Sequence, residues 1–472
     1  MSEKRYVVSF VEPRVDSGTA AQILSTKKTR VKDGIEALAA EEPLDEAEVH
    51  NFEELGCCVV SLGDAAREKL EHDDRVAEVV EDFEVFAIGD CAGEDAEGAG
   101  DPPATFGGAG YAVGYHQALS DLYGAGDWAD YDVEPAFHRP FPPRAPFPPR
   151  PPLPPTPPSL CPPGTRPVVR CVPVPRPPVR QPVPWNIGMV GADDVWRRVT
   201  GRGVKLAIID TGIDDNHPDL SVSGGASLVP GVGSWDDDHS HGTHCAGIAG
   251  ARNNAAGVVG VAPGCSLYAV KVMRPVAGGG ASGRLSWILA GMGWAAGNGM
   301  DVASMSLGSS VSSADASCTV AYQRAAQQLI DSGCIVIAAA GNSGRTSQPW
   351  VGRPARCPGF MAVAAVDRNR GLASFSSRGP ATLGRDSGVE ISAPGVSINS
   401  TVPGGGYGVK SGTSMACPHV SGAAALIKEL RPTWSPAQIR RRLRATASDL
   451  GAPGDDPEFG SGLLDCRRAV FG

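Results

Sequence analysis

Five short runs between residues 204 and 366 are apolar almost from end to end: VKLAIID (204–210), LYAVKVM (267–273), DVASMSL (301–307), CIVIAAA (334–340) and FMAVAAV (360–366). A strand that is wet on one face alternates apolar and polar side chains. A strand that does not alternate is covered on both faces, which is the condition of a parallel sheet between helical layers. The segments between and after the runs supply those helices: GRLSWILAGMGWAAGNG, TVAYQRAAQQLIDSG and MACPHVSGAAALIKEL. Glycine closes two of them, as a helix stop requires. The reading from about residue 181 to residue 472 is therefore α/β, a mostly parallel sheet with helices on both faces.

The preceding residues differ in kind. In residues 1–90, YVVSFVE (6–12) and CCVVSL (57–62) read as strands and DAAREKLEHD (64–73) as a helix with Asp64 as N-cap. VAEVVEDFEVFAI (76–88) reads as a strand followed by an extended tail, so the segment is a small α+β module. Residues 91–180 begin acidic and glycine-rich (CAGEDAEGAGD) and continue as RPFPPRAPFPPRPPLPPTPP. More than half of the 41 prolines fall between Glu134 and Trp185. Proline fixes φ and removes a donor, so this run is polyproline II, a stiff spacer between the two folded parts. Its PxxP patterns also suit a proline-recognition domain as partner, on composition alone.

The net charge of −10 lacks the basic stripe that nucleic acid needs, and reads as solubility. No apolar run is long enough to span a bilayer. The opening MSEKRYVVSF lacks the pattern of a secretory leader, so the chain as written reads as cytoplasmic. A misassigned start or a non-standard route would make it secreted. The twelve cysteines form no paired CxxC units of zinc spacing. Cys161 and Cys171 bracket a short stretch that closes as a disulfide in an oxidising compartment and stays reduced in the cytosol.

Four residues stand where α/β sheets do chemistry, beyond strand ends or at helix starts. Asp210 closes a strand run, where a turn-forming aspartate is equally at home. His241 lies in HSHGTHCAGIAG, close to His239 and His244, so a metal site is an alternative there. Ser414 lies where SGTSMACPHVSG enters a helix, a place also natural for an N-cap serine; free N–H groups and the positive dipole end are available there. Pro418 fits the first turns of that helix. The GxSxG elbow is absent. Asn342 follows a strand in AAAGNSG and offers an amide donor or simply a turn.

Taken together, DTGIDDNHPDL, HGTHCAGIAG, AAAGN and GTSMACPHVSGAAAL, in this order, resemble the subtilisin family (subtilases). GVVGVAPGCSLYAVKV, SWILAGMGWA, SMSLG, SFSSRGP and SAPG fill the gaps, and the resemblance covers residues from about 181 to near the end. It implies a subtilisin-like three-layer fold and a serine endopeptidase without organic cofactor. Asp210, His241 and Ser414 would be the triad, with Asn342 and the Ser414 N–H as oxyanion donors. Substrate would lie extended between Gly279, Gly280 and Gly283 on one side and Ser306, Leu307 and Gly308 on the other. Ala339, Ala340 and Gly341 would line an apolar primary pocket, and Leu285 a second subsite. A structural calcium would be held by Gln181, Asp219 and Asn254 with the carbonyls of Arg252, Ala256 and Val258. The thiols of Cys245 and Cys417 would be packing groups beside the machinery. YVVSF and VAEVVEDFEVF resemble the family's inhibitory propeptide, which implies a ferredoxin-like module and self-processing.

The chain departs from the family in that residues 91–180 intervene between tail and catalytic part, so a cut near Ile88, near Arg180, or at both fits, and in that the leader expected of a secreted member is not seen. Two rival functions remain at this point, an inactive scaffold that recruits partners through the proline run, and an esterase.

Overall fold

Of the 472 residues, the computed structural model describes 4–24, 30–33, 48–88, 181–313, 317–379 and 388–472. The expected linker, with its proline run, Cys161 and Cys171, lies outside the described residues.

The N-terminal module contains β1 (Lys4–Phe10), α1 (Ser17–Leu24), β2 (Arg30–Asp33), β3 (Glu48–Phe52), β4 (Cys57–Leu62), α2 (Asp64–Glu71) and β5 (Val76–Glu81). They form one sheet in the order β2-β3-β4-β1-β5, with β1 antiparallel to β4 and β5. Side chains alternate across a pleated strand. Val8, Cys58 and Val60 pack against Ala20 and Ile23 of α1 and Leu70 of α2, whereas Val7, Cys57 and Val59 join a core shared with the rest of the protein. The adjacent cysteines thus face opposite sides of the sheet. Asp64 is not the N-cap of α2: Gly63 takes that place with extended backbone, and its carbonyl receives the amides of Ala66 and Arg67. Asp64 becomes the first helical residue, where its charge favours the dipole.

After β6 (Glu84–Ala87), description resumes with α3 (Trp185–Met189), β7 (Lys205–Asp210), β8 (Val222–Ser227), α4 (His241–Gly250) and β9 (Ser266–Lys271). Next come β10 (Arg274–Pro275), β11 (Ala281–Arg284), α5 (Leu285–Gly297), β12 (Val302–Met305), β13 (Leu307–Gly308) and α6 (Val320–Asp331). The chain continues through β14 (Ile335–Ala339), β15 (Phe360–Val366), β16 (Ile391–Pro394), β17 (Ile398–Val402) and β18 (Gly406–Lys410). It closes with α7 (Thr413–Leu430), α8 (Pro436–Thr446) and α9 (Cys466–Phe471).

Seven of these strands form a wholly parallel sheet, β16-β15-β14-β12-β7-β9-β8. Leu206, Ile208, Ile337 and Val363 point to the layer of α4, α7 and α8; Ala207, Ile209, Val336 and Ala362 point to the layer of α5 and α6. The apolar runs without alternation are thus central strands, buried on both faces. The β17-β18 hairpin lies against α4: Ser400 and Thr401 donate to the carbonyls of His244 and Thr243 at 2.8 and 2.7 Å. A disulfide, Cys318–Cys357, ties the segment before α6 to the loop between β14 and β15. The other seven described cysteines are buried and free. Among the described residues no helix is long and apolar enough to cross a membrane.

The module sits on the start of two helices. Glu78 Oε2 accepts from Val320 N at 2.7 Å at the head of α6. Asp82 accepts from Ser286 N and Ser286 Oγ, both at 2.9 Å, at the head of α5. Each carboxylate meets orphan amides at the positive end of a helix.

Candidate active site

β7, β12 and β14 are neighbours in the centre of the sheet, and the chain leaves their carboxyl ends at Asp210, Ser306 and Asn342. Chain order changes direction around β7, so this is the crevice where such sheets bind ligands. Ser414 and His241 stand at the starts of α7 and α4, which pack side by side.

Asp210, His241 and Ser414 are all fully buried. His241 Nδ1 lies 2.7 Å from Asp210 Oδ1, which also accepts from Thr211 N at 2.7 Å. Nδ1 therefore carries the proton, and Nε2 is left as a base. Nε2 has no hydrogen-bond partner among the described residues. Gly242 lets the head of α4 approach this strand end, since a Cβ there would lie 2.1 Å from Gly212 O and 3.2 Å from Asp210 Cβ.

Asp237 organises the same corner, and sequence reasoning passed over it. Its Oδ1 receives Thr211 Oγ1, His239 N and Ser240 N, each at 2.9 Å, and its Oδ2 receives Thr243 N at 2.9 Å and Thr243 Oγ1 at 2.6 Å. Burial alone would raise this carboxyl, but the bonds from Thr243, His239 and Ser240 outweigh it and hold Asp237 below its ordinary value. The one available signal was the acidic run DDDH just before the histidine motif. The three histidines do not converge: His239 Nε2 lies against Gly279 O and His244 Nε2 against Ile398 O and Gly408 O, so no three-histidine metal site forms.

Ser414 Oγ lies against the carbonyl of Ile88, the end of the N-terminal tail, and 3.0 Å from Ser306 O, two acceptors for its one hydroxyl hydrogen. The tail arrives as β6, antiparallel between β11 and β13, with Phe86 opposite Ser282, Val85 opposite Gly283 and Ala87 opposite Leu307. Ile88 N donates to Ser306 O at 3.2 Å. The paired edge is thus Ser282–Arg284, displaced from the expected stretch: Gly283 belongs to it, whereas Gly279 and Gly280 lie in the turn before β11, with Gly279 at φ 90. On the other side the tail pairs with Leu307 and Gly308 and reaches Ser306 O.

Asn342 Oδ1 accepts from Thr413 N at 3.0 Å and Thr413 Oγ1 at 2.9 Å, which fixes the amide with Nδ2 as its donor end. A cavity of about 300 Å³ beside Ile88 is lined by Gly308, Ser309, Gly341, Asn342 and Gly352 together with the tail, and carries no charged side chain. Of the three residues expected to line it, Gly341 does; Ala339 and Ala340 are fully buried behind it. Leu285 is fully buried and shares a cluster with Val85 of the tail. A larger cavity, about 900 Å³ between α6, α8 and the amino end of β14, is remote from this chemistry, and its Arg440 and Arg444 are paired with Glu390 and Asp455.

Cys245, one turn beyond His241, has its thiol 3.5 Å from Ser414 O. Burial, then the nearby charge of Asp210, pushes it well above the ordinary thiol range. Burial pushes Cys417 up to about 11. Both are inert packing groups rather than nucleophiles.

The expected cation residues also meet. The carbonyls of Ala256 and Val258 converge, each 2.6 Å from Gln181 Nε2, and Gln181 Oε1 receives Asn254 N at 2.8 Å. Asp219 Oδ1 receives Asn254 Nδ2 at 2.8 Å, and Asp219 Oδ2 receives Val258 N at 2.9 Å. Arg252 is tied in by its N–H on Asp219 O. Gln181 Nε2 fills the point on which the two carbonyls converge; with that amide turned over, its oxygen would join the carbonyls beside Asp219 as a donor set of the kind a hard cation takes.

The family model described as the subtilase family matches residues 201–462. Alkaline elastase YaB of Bacillus sp. (strain YaB) is 48% identical over 291 residues, which are 61% of this chain and 71% of that protein. Subtilisin E of Bacillus subtilis (strain 168) is 47% identical over 293 residues, 61% of this chain and 72% of its own. Subtilisin Savinase of Lederbergia lenta is 47% identical over 291 residues, 61% of this chain and 99% of its own.

Proposed function

The chain belongs to the subtilase family and is a subtilisin-like serine endopeptidase, and from that premise we propose that Asp210, His241 and Ser414 cut peptide bonds, the first of them in the protein's own chain, after Ile88. The observation that carries this reading is the tail: an extended strand from the N-terminal module ends with its Ile88 carbonyl on the Ser414 hydroxyl.

In this mechanism His241 Nε2 takes the Ser414 proton as Oγ attacks the carbonyl carbon. Asp210 holds the ring in the required tautomer and stabilises the imidazolium. The oxyanion receives Asn342 Nδ2 and Ser414 N. His241 then gives its proton to the leaving amine, and water, deprotonated by the same nitrogen, clears the acyl ester. The uncharged cavity beside Ile88 and the burial of Val85 support a preference for apolar or aromatic residues before the bond and at the fourth position back.

Under the same reading residues 1–90 are an inhibitory propeptide, 91–180 a linker and 181–472 the catalytic domain. After a cut at Ile88 the linker stays on the enzyme, where its proline run is open to a proline-recognition domain. Gln181, Asp219 and Asn254, with the carbonyls of Arg252, Ala256 and Val258, would hold a structural calcium.

The test is a denaturing-gel time course of wild type and Ser414→Ala with a fluorescent serine-hydrolase probe and intact masses. Wild type should shorten, take the label and yield a fragment that starts at Gly89, and the variant should do neither. A folded wild type that stays whole and unlabelled refutes the reading.

A further inference from the structure

Arg324, one turn into α6, projects onto the N-terminal module and meets only backbone. One guanidinium nitrogen donates to Gly56 O at 2.9 Å, Leu55 O at 3.2 Å and Glu12 O at 3.3 Å; the other donates to Phe10 O at 2.6 Å and Val11 O at 3.2 Å. Among the described residues no carboxylate pairs with it.

The cage of carbonyls has a local cause. At Phe10 the register of β1 shifts and the strand leaves the ladder, so its next carbonyls lose strand partners. Glu53–Leu55 form a 3₁₀ turn closed by Gly56 in the left-handed region at φ 53, which turns Leu55 O and Gly56 O toward the same point. A Cβ at Gly56 would lie 2.4 Å from Glu12 O and 2.8 Å from the Arg324 guanidinium, so only glycine leaves the cage open. Five carbonyl dipoles aimed at one point need a cation. Gly56 O also receives Phe10 N at 2.8 Å, and the Val11 and Glu12 contacts are exposed, so the cost of docking without a cation falls chiefly on the half-buried carbonyls of Phe10 and Leu55. Charge also favours the contact, since acidic residues outnumber basic ones more than two to one in residues 1–90 and basic ones prevail in 181–472.

We propose that Arg324 is the recognition residue by which the catalytic unit holds the N-terminal module, independently of the tail in the cleft. The inference rests on the reading of that module as an inhibitor, and it names the surface outside the cleft through which inhibition persists after the tail is cut. Loss of charge-assisted bonds of this kind lowers the stability of a docked state roughly 10- to 100-fold.

The experiment uses the full chain in two backgrounds. In Ser414→Ala, which cannot be cut, Arg324→Ala should speed amide hydrogen exchange at residues 10–12 and 53–58 by that factor. Arg324→Lys should restore part of the protection, and Gly56→Ala should mimic the loss from the module side. Unchanged exchange overturns the proposal. Exchange that rises equally in the central sheet overturns it too, by making Arg324 a folding residue. In the cuttable chain, the wild-type fragment should co-elute with the enzyme and the Arg324→Ala fragment should elute alone. Equal co-elution overturns the latch. A wild type that is never cut refutes the reading of the cleft alone, because the exchange measurement does not depend on cleavage.

Discussion

Replacing Ile88 by aspartate tests the cleft and its pocket in one experiment. The residues that line the cavity beside Ile88 bring no cation, so a carboxylate there must either leave the pocket or take up a proton. Neutralising an aspartate of ordinary pKa costs about 4 kcal/mol at pH 7 and about 1.5 kcal/mol at pH 5. The lost apolar contact of isoleucine adds about 1.5–3 kcal/mol at either pH. Self-cleavage of Ile88→Asp should therefore be slower than wild type by at least about 10³-fold at pH 7. Moving to pH 5 should recover about 100-fold of that deficit. Ile88→Asn pays the apolar loss alone and should show no such recovery. The assay is the appearance of the Gly89 terminus by mass spectrometry, each variant scaled to wild type at the same pH. Equal rates for Ile88→Asp and wild type at pH 7 would refute the placement of Ile88. Equal pH trends for the aspartate and asparagine variants would refute the uncharged character of the pocket.

Asn342→Ala should lower kcat on a peptide substrate by about 10²- to 10³-fold, the scale known for such a donor in a subtilisin, with KM nearly unchanged; similar kcat in both would remove Asn342 from the oxyanion site. Asp237→Asn should destabilise the protein by about 2–3 kcal/mol at neutral pH, because a buried charge that receives five bonds is lost. Since Asp237 is depressed in the folded state, its contribution is complete above the ordinary value of 3.8 and fades as pH falls through the folded value; thermal melts should show the two proteins converging below about pH 4 and not before. A calcium chelator should lower the melting temperature of the wild type, and Asp219→Asn should abolish the difference; an identical melt with and without chelator argues against the cation.

The central sheet was legible because its strands are buried on both faces, and such burial leaves uninterrupted apolar runs. Asp210, His241, Asn342 and Ser414 were each ambiguous alone and were picked out by the motifs that resemble the family, in which glycines stand where a side chain would collide, as Gly242 against Gly212 does. What stayed hidden depends on contacts between distant parts. Asp237 looks like any acidic loop residue until Thr211 and Thr243 close around it. The Arg324 cage consists of backbone carbonyls, which no side-chain pattern announces. Gly279 and Gly280 were expected on the substrate edge, but a glycine run serves a tight turn as readily as a ladder, and here it makes the turn. The Cys318–Cys357 pair has no motif spacing and follows from the fold alone.

That disulfide bears on how the protein survives its own company. A protease in solution is surrounded by copies that attack protruding loops, and residues 345–348, between β14 and β15, are exposed. They lie inside the ring that Cys318 and Cys357 close, as do α6 and Asn342. A nick there leaves the two pieces covalently joined, so a wounded molecule keeps its parts together long enough to remain folded. Under reducing conditions the same nick becomes a true break in the chain.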